Sequence, residues 1–467
     1  MSRLHIFHPM PRRTWASTLL IALILPGTAF AESTRERALE ARVTELERQV
    51  QALLAAQQQQ AQIAETQTQI VEVKSTQEQI PAIPAPAAGK QPIQLTSIVP
   101  NAAPGTTFRF GGFIKADFLA TKTSDGQMAD NAAGRALYLP GQIPVGGKSS
   151  DVDYDAHAKF SRINFGVDSV TDQGDKMGAF VEMDFFGNAL GSQTATNTWG
   201  TTLRHAYMYW NHWLAGQTWS NFMDAASLPE AVDFVGVTDG TLFARQAQIR
   251  YTRGGFSASL ENPETTLVFV NPGTPGIPAT ASSDRGAFPD LTMRYGWKGD
   301  WGTFGVAALV RELKVDRPGY NDSTLGGGLT LGGKWRMGEK DYLHYQLSGG
   351  KGISRYIGLG ITGDAMLDPR DGSLEAIDTI AGWVSWRHEF NPKLRTHLMY
   401  ARSDYDHDIG LTGDGVTKTV QSVRANVFYS PLPKVDVGIE LMYGKREVEG
   451  GDDGDIKRMQ FTTKYSF

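Results

Sequence analysis

From Phe108 to its last residue, Phe467, the chain repeats one pattern: short segments in which every second residue is apolar. Successive side chains leave a β-strand on opposite faces, so a period of two marks strands whose two faces meet unlike surroundings. Phe108, Phe110, Ile114, Ala116 and Phe118 alternate with Arg109, Lys115 and Asp117. Ile163, Phe165 and Val167 alternate with Arg162, Asn164 and Asp168, and Val437, Ile439, Leu441 and Tyr443 with Asp436 and Glu440. Sixteen such segments can be counted, including 302–312 and 325–336, and no convincing helix interrupts them. An even number is what a single-chain bacterial barrel requires. The gaps are tight at 211–212, 253–254 and 431–433 and long at 121–157, 188–201, 220–245 and 262–288. Short turns on one side and long loops on the other fit the same architecture.

A soluble sandwich shows the same period, so the pattern alone does not say which face meets water. Three features favour a barrel in lipid. Residues 107–467 form one all-β unit, large for a sandwich. Tyrosines stand at expected strand ends (Tyr207, Tyr209, Tyr251, Tyr295, Tyr400, Tyr429, Tyr443), as interfacial girdles need. The polar faces carry many charges, and each Arg or Lys facing lipid at the midplane costs about 2–4 kcal/mol. The final strand places Met459, Phe461, Thr463, Tyr465 and Phe467 on one face and stops there. It resembles the C-terminal signal read by the barrel assembly machinery. Sixteen strands leave an aqueous channel rather than a packed interior.

The N-terminal zones agree. Arg3, Arg12 and Arg13, an apolar Trp15–Leu25 and Ala29-Phe30-Ala31 make residues 1–31 a signal peptide. Residues 32–79 read as a periplasmic coiled coil: Leu39, Val43, Leu46, Val50 and Leu53 keep an a/d seam, and neither Pro nor Gly occurs there. Val at a and Leu at d lean towards a dimer. Residues 80–106, with Pro81, Pro84, Pro86, Pro92, Pro100 and Pro104, are an extended linker. The chain has no cysteine, which excludes disulfide-stapled and Cys-ligated metal designs. A net charge of −5 argues against nucleic acid as a partner. No cofactor or metal is expected, and the acidic run 451–455 reads first as a solvated turn, with a weak calcium contact as the second choice.

Six short motifs, in order, carry a family resemblance: Phe110–Asp117, Ser161–Phe165, Leu203–Tyr207, Leu214–Asp224, Arg245–Tyr251 and Leu260–Glu264. With the coiled coil and Pro-rich linker ahead of them, they resemble the DcaP-like family of trimeric outer-membrane porins. The resemblance implies a homotrimer of 16-stranded barrels with a periplasmic extension and a preference for anionic substrates such as dicarboxylates. It also implies an inward loop after the fifth strand, here Ser220–Phe243, with Asp224, Glu230, Asp233 and Asp239 and no cation. By alternation Arg109, Lys115, Arg162, Arg204, Arg250, Arg294, Arg311, Arg424 and Arg458 face the lumen, against Asp117, Glu182, Asp184, Glu261, Asp290 and Glu440. A guanidinium stays charged and grips a carboxylate through two parallel hydrogen bonds.

These residues support passive, weakly selective uptake of small anions across the outer membrane of a Gram-negative bacterium, in contact with lipid and lipopolysaccharide. A sugar-selective porin is the alternative, disfavoured because the expected inward aromatics are scattered (Phe113, Phe180, Phe186, Trp219). Residues 32–79 also fit a tether to the cell wall. An enzyme is not expected, since His157, His344, His388, His397 and His407 join no nucleophile motif.

Overall fold

The computed structural model describes residues 106–187, 199–271 and 278–467. The expected signal peptide (1–31), coiled coil (32–79) and linker as far as residue 105 lie outside the described residues. In chain order the strands are β1 Thr107–Thr123, β2 Asp153–His157, β3 Arg162–Val170, β4 Lys176–Gly187, β5 Gly200–Trp210, β6 Trp213–Trp219, β7 Arg245–Arg253 and β8 Phe256–Glu261. Then come β9 Thr265–Phe269, β10 Ala279–Ser283, β11 Asp290–Gly299, β12 Gly302–Arg317, β13 Tyr320–Met337, β14 Asp341–Lys351, β15 Ala365–Leu367 and β16 Leu374–Ala376. The last five are β17 Asp378–Asn391, β18 Leu394–Asp406, β19 Thr417–Leu432, β20 Val435–Val448 and β21 Asp453–Ser466.

Strands β9, β10, β15 and β16 form a small sheet among the loops, and the other 17 form one sheet. That sheet closes on itself, because β1 pairs with β21 on one edge and with β2 and β3 on the other. Segments β2 and β3 lie end to end along β1 and make one stave, so the barrel has sixteen staves. Closure leaves no unpaired edge, as a sheet in hydrocarbon requires.

The two faces settle the ambiguity left by the sequence. In β1, Ile114 and Phe118 are 53 % and 52 % exposed, while Lys115, Asp117 and Thr121 on the other face are buried. The same inversion holds for Leu398 and Tyr400 against His397 and Ser403, and for Leu441 against Glu440. A water-soluble sandwich would bury the apolar face; here the outer surface is apolar and the interior polar, as in a barrel meant for lipid.

Three local departures from alternation shape the wall. First, Pro318–Gly319 joins β12 to β13 directly, so both strands run well past the segments 302–312 and 325–336 read from the sequence. Pro before a glycine at φ +91° is the type II turn pattern. The polar flanks Asp316, Arg317 and Asn321 hid the strand from a reading based on apolar period. Second, Ala158–Ser161 interrupts the second stave and turns Phe160, wholly buried, into the interior. Third, the β4–β5 ladder shifts between Glu182 and Met183, opposite His205 and Leu203, leaving Arg204 as the extra residue of a bulge. Arg204 and His205 are therefore both buried, and alternation inverts beyond them. Met208 and Trp210 face outward, and Tyr209 turns its hydroxyl to Asp168. Tyr209 is thus not the girdle residue its place at a strand end suggested, whereas Tyr295, Tyr400, Tyr429 and Tyr443 are exposed outside.

Candidate solute pathway

The segment between β6 and β7, residues 220–244, lies inside the barrel. Polar groups from β1, β14, β19, β20 and β21 hold it. The Val232 carbonyl accepts from Lys115 Nζ at 3.0 Å (β1) and Gln460 at 3.3 Å (β21). Its amide donates to Glu440 at 3.1 Å (β20). Asn426 donates to the Glu230 carbonyl at 2.9 Å, Gln346 to the Gly240 carbonyl at 3.1 Å, and His344 Nδ1 lies 3.0 Å from the Ser227 carbonyl. The loop's underside is apolar: Phe222, Met223, Val235, Leu242 and Phe243 cluster with Phe160, Leu309, Ile353, Tyr356 and Ala381. Phe234 stacks on Phe160 with centroids 4.4 Å apart.

Two further segments enter the interior, which sequence reasoning missed. From 124–152 come Leu137, Tyr138 and Ile143, all fully buried. From 352–377 come Ile353, Tyr356 and Ile357, also fully buried. Their signal was present as apolar side chains within long connections, but nothing local says that a connection folds inward.

Every acid of the 220–244 segment has a partner. Asp224 pairs with Arg294 at 2.8 Å on β11. Glu230 takes a bidentate grip from Arg395 on β18, with Nε 2.6 Å from Oε2. Asp233 accepts from the amides of Tyr138, Val235 and Gly236 at 2.9–3.2 Å. Asp239 accepts from the Tyr138 hydroxyl at 2.6 Å and from Ser422. Burial raises the Asp239 carboxyl above the ordinary aspartate range and raises the Tyr138 phenol well above its own.

The nine expected wall cations do not share one setting. Arg311, Arg424 and Arg458 are sealed beneath loops. Arg311 bridges Asp290 at 3.3 Å and Asp364 at 3.1 Å, Arg424 pairs with Glu440 at 3.0 Å over the Tyr138 ring, and Arg458 donates to Thr121 at 2.9 Å and to the Gly134 carbonyl. Lys115 is buried against Asp117. Arg109 sits at the short-turn end, gripping Asp168, with its side chain 54 % exposed. Arg250 donates to Gln248 at 2.8 Å and to the Trp219 carbonyl.

Arg162 and Arg204 meet on one wall across β3, β4 and β5. Arg204 is buried between Glu182 and Asp184, each 2.9 Å away. Arg162 is looser: among the described residues its nearest carboxylate oxygen is Glu182 Oε1 at 3.5 Å and its Nε has no hydrogen-bond partner, and it lies over Phe113 at 5.0 Å. A third guanidinium, Arg245, joins them, lying over Trp219 at 4.7 Å and Phe243 at 5.5 Å, with Nη1 buried and without a partner among the described residues. Sequence reasoning missed Arg245 because it shares parity with outward Ala247 and Ile249; as the first residue of β7, opposite Trp219, it turns inward. The bulge adds His205, whose Nδ1 is 3.0 Å from Thr218 Oγ1. Across the barrel a second set of cations was likewise missed: Lys334 and Arg387 flank Tyr342 at 4.2 and 5.5 Å. Among the described residues no group of three His, Asp or Glu side chains is set to hold a metal ion.

The arrangement is that of a barrel with a polar interior whose inward segments are tied to charged walls, and comparison with known proteins agrees. Residues 23–467 match the family described as DcaP outer membrane protein. No curated protein matches. Among solved structures, the outer membrane channel DcaP of Acinetobacter baumannii superposes with a TM-score of 0.62 at 23 % identity, covering 78 % of this chain and 98 % of that one. An anion-selective porin from Comamonas acidovorans gives 0.48 at 12 % identity, with 78 % and 100 % covered. OmpF of Salmonella typhi gives 0.47 at 13 %, with 78 % and 98 % covered. A family match running through every stave, on a closed barrel that is apolar outside and polar within, makes this chain a member of the DcaP outer membrane protein family.

Proposed function

We propose that the protein is a porin for small anionic solutes, dicarboxylates among them, which pass alongside the inward segment 220–244 and the Arg162–Arg204–Arg245 wall it packs against. The observation that carries this reading is the fate of the acids. The segment's carboxylates are consumed by Arg294, Arg395, backbone amides and hydroxyls. Arg162 and Arg245 are not matched in the same way, because Glu182 and Asp184 are already committed to Arg204. The positive charge left over faces the passage, and a focused field of one sign raises the local concentration of the opposite ion. Arg250 extends the ladder, with Arg294 beyond it held by Asp224, and a solute moves along it when each site is weak enough to release it.

Aromatic rings in the same region do not offer a sugar track, since guanidinium groups cover Trp219, Phe234 and Phe243. Assembly as a homotrimer and a periplasmic coiled coil that tethers the barrel to the cell wall belong to the same proposal; they rest on the family resemblance and on the heptad seam.

The test is a reversal potential in a salt gradient across a planar bilayer, repeated with succinate. Anion preference with succinate block is expected, and Arg162→Gln with Arg245→Gln should lower both by about tenfold. Cation preference unaffected by succinate would overturn the reading.

A further inference from the structure

On the outer face of the barrel, Lys122 of β1 and Lys457 of β21 stand directly opposite each other across the seam. Both side chains are exposed, on the faces that carry Phe118 and Met459. Cβ atoms of directly opposed residues lie about 5 Å apart, and like charges so placed destabilise a ladder. Neither ammonium makes an ion pair among the described residues. The nearby outward acids are engaged: Asp453 pairs with Lys445 at 2.6 Å, and Asp455 accepts from the Tyr443 hydroxyl at 2.7 Å. Tyr443 is the β20 neighbour of Lys457. The two lysines lie towards the long-loop end of their strands: Lys122 is the last outward position of β1 before loop 124–152, and on β21 only Asp455 and Asp453 stand outward between Lys457 and loop 449–452. Below them runs a continuous apolar strip of Ala120, Phe118, Ile114, Met459, Phe461 and Leu441.

We propose that Lys122 and Lys457 form a binding site for a phosphorylated lipid of the outer leaflet. Its phosphate bridges the two ammonium groups, and its acyl chains lie along the apolar strip. The uncompensated pair supplies the charge, its height above the strip fits a headgroup rather than a free anion, and the strip supplies the hydrocarbon contact. This inference is independent of what passes through the lumen.

Native mass spectrometry of the purified full-length protein in detergent tests it, with bisphosphorylated lipid A, enzymatically dephosphorylated lipid A, phosphatidylethanolamine and inorganic phosphate as probes. Bisphosphorylated lipid A should be retained at least fivefold better than the other three. Lys122→Gln with Lys457→Gln should abolish the difference, while Lys351→Gln, which removes a lysine already paired with Asp378, should leave it intact. Lys122→Glu adds an independent check, because it replaces repulsion with attraction. In lipid-A-free detergent it should raise the temperature at which the barrel unfolds on a gel while eliminating retention of the lipid. Equal retention by wild type and the double glutamine variant would overturn the proposal. Competition by inorganic phosphate as strong as by the lipid would also overturn it. So would a change in oligomeric state as the only effect of the double variant, since that assigns the pair to contact between copies.

Discussion

At the scale of single residues, the interior is governed by which charges are already spoken for. Asp224 holds Arg294, so removing that carboxylate frees a cation beside the passage. Asp224→Asn should therefore increase anion over cation permeability by about twofold, read as a shift in reversal potential; an unchanged value would mean that Arg294 does not face the solute. Asp239 makes a pH argument. Burial raises its folded pKa above the unfolded value, so its ionised form weakens the folded state, and its contribution to stability is full at low pH and lost as pH rises through the folded value. Asp239→Asn, which keeps the shape and removes the charge, should raise the unfolding temperature at pH 7, by roughly 2–4 °C for each kcal/mol gained. At pH 4 the gain should be much smaller; equal gains at both pH values would count against the burial argument.

At the scale of elements, period-two alternation was legible wherever a strand obeyed it. It placed Arg204, Arg311 and Arg424 on the inner face from the sequence alone. It failed where one residue is added or one stave is broken. The Arg204 bulge brings His205 inward and inverts Tyr209, and no residue type near it announces the extra position. The break at Ala158–Ser161 is similarly silent, although it gives the inward loop its Phe160 anchor. Arg245 was missed because alternation describes the middle of a strand and not its first residue. The interior segments were least legible, because only tertiary contact tells an inward connection from an outward one. The first of them predicts a measurable effect. Deleting residues 129–146 removes Tyr138 and Ile143 from the lumen and should increase single-channel conductance severalfold while lowering anion preference, since Asp233 and Asp239 lose the Tyr138 amide and hydroxyl that occupy them. A rise in conductance with unchanged selectivity would show that these two acids do not act on the solute.

At the scale of the whole molecule, the outer surface is built for hydrocarbon and the interior is polar, with three connections folded into it. Deleting 32–79 should leave a barrel of unchanged conductance and, if that segment is a tether, should abolish co-sedimentation with the cell wall. A variant that still co-sediments would assign the attachment elsewhere.

One hydrogen-bonded point orders events in time. The Val232 carbonyl is held at once by Lys115 on the first strand and Gln460 on the last, which meet only where the cylinder is stitched shut. That junction cannot be completed until both ends of the chain have arrived. The Val232 carbonyl therefore finds both of its donors only once the seam has paired, so the final anchoring of the inward segment waits on closure of the wall. The two side chains that report closure also fasten the segment in place.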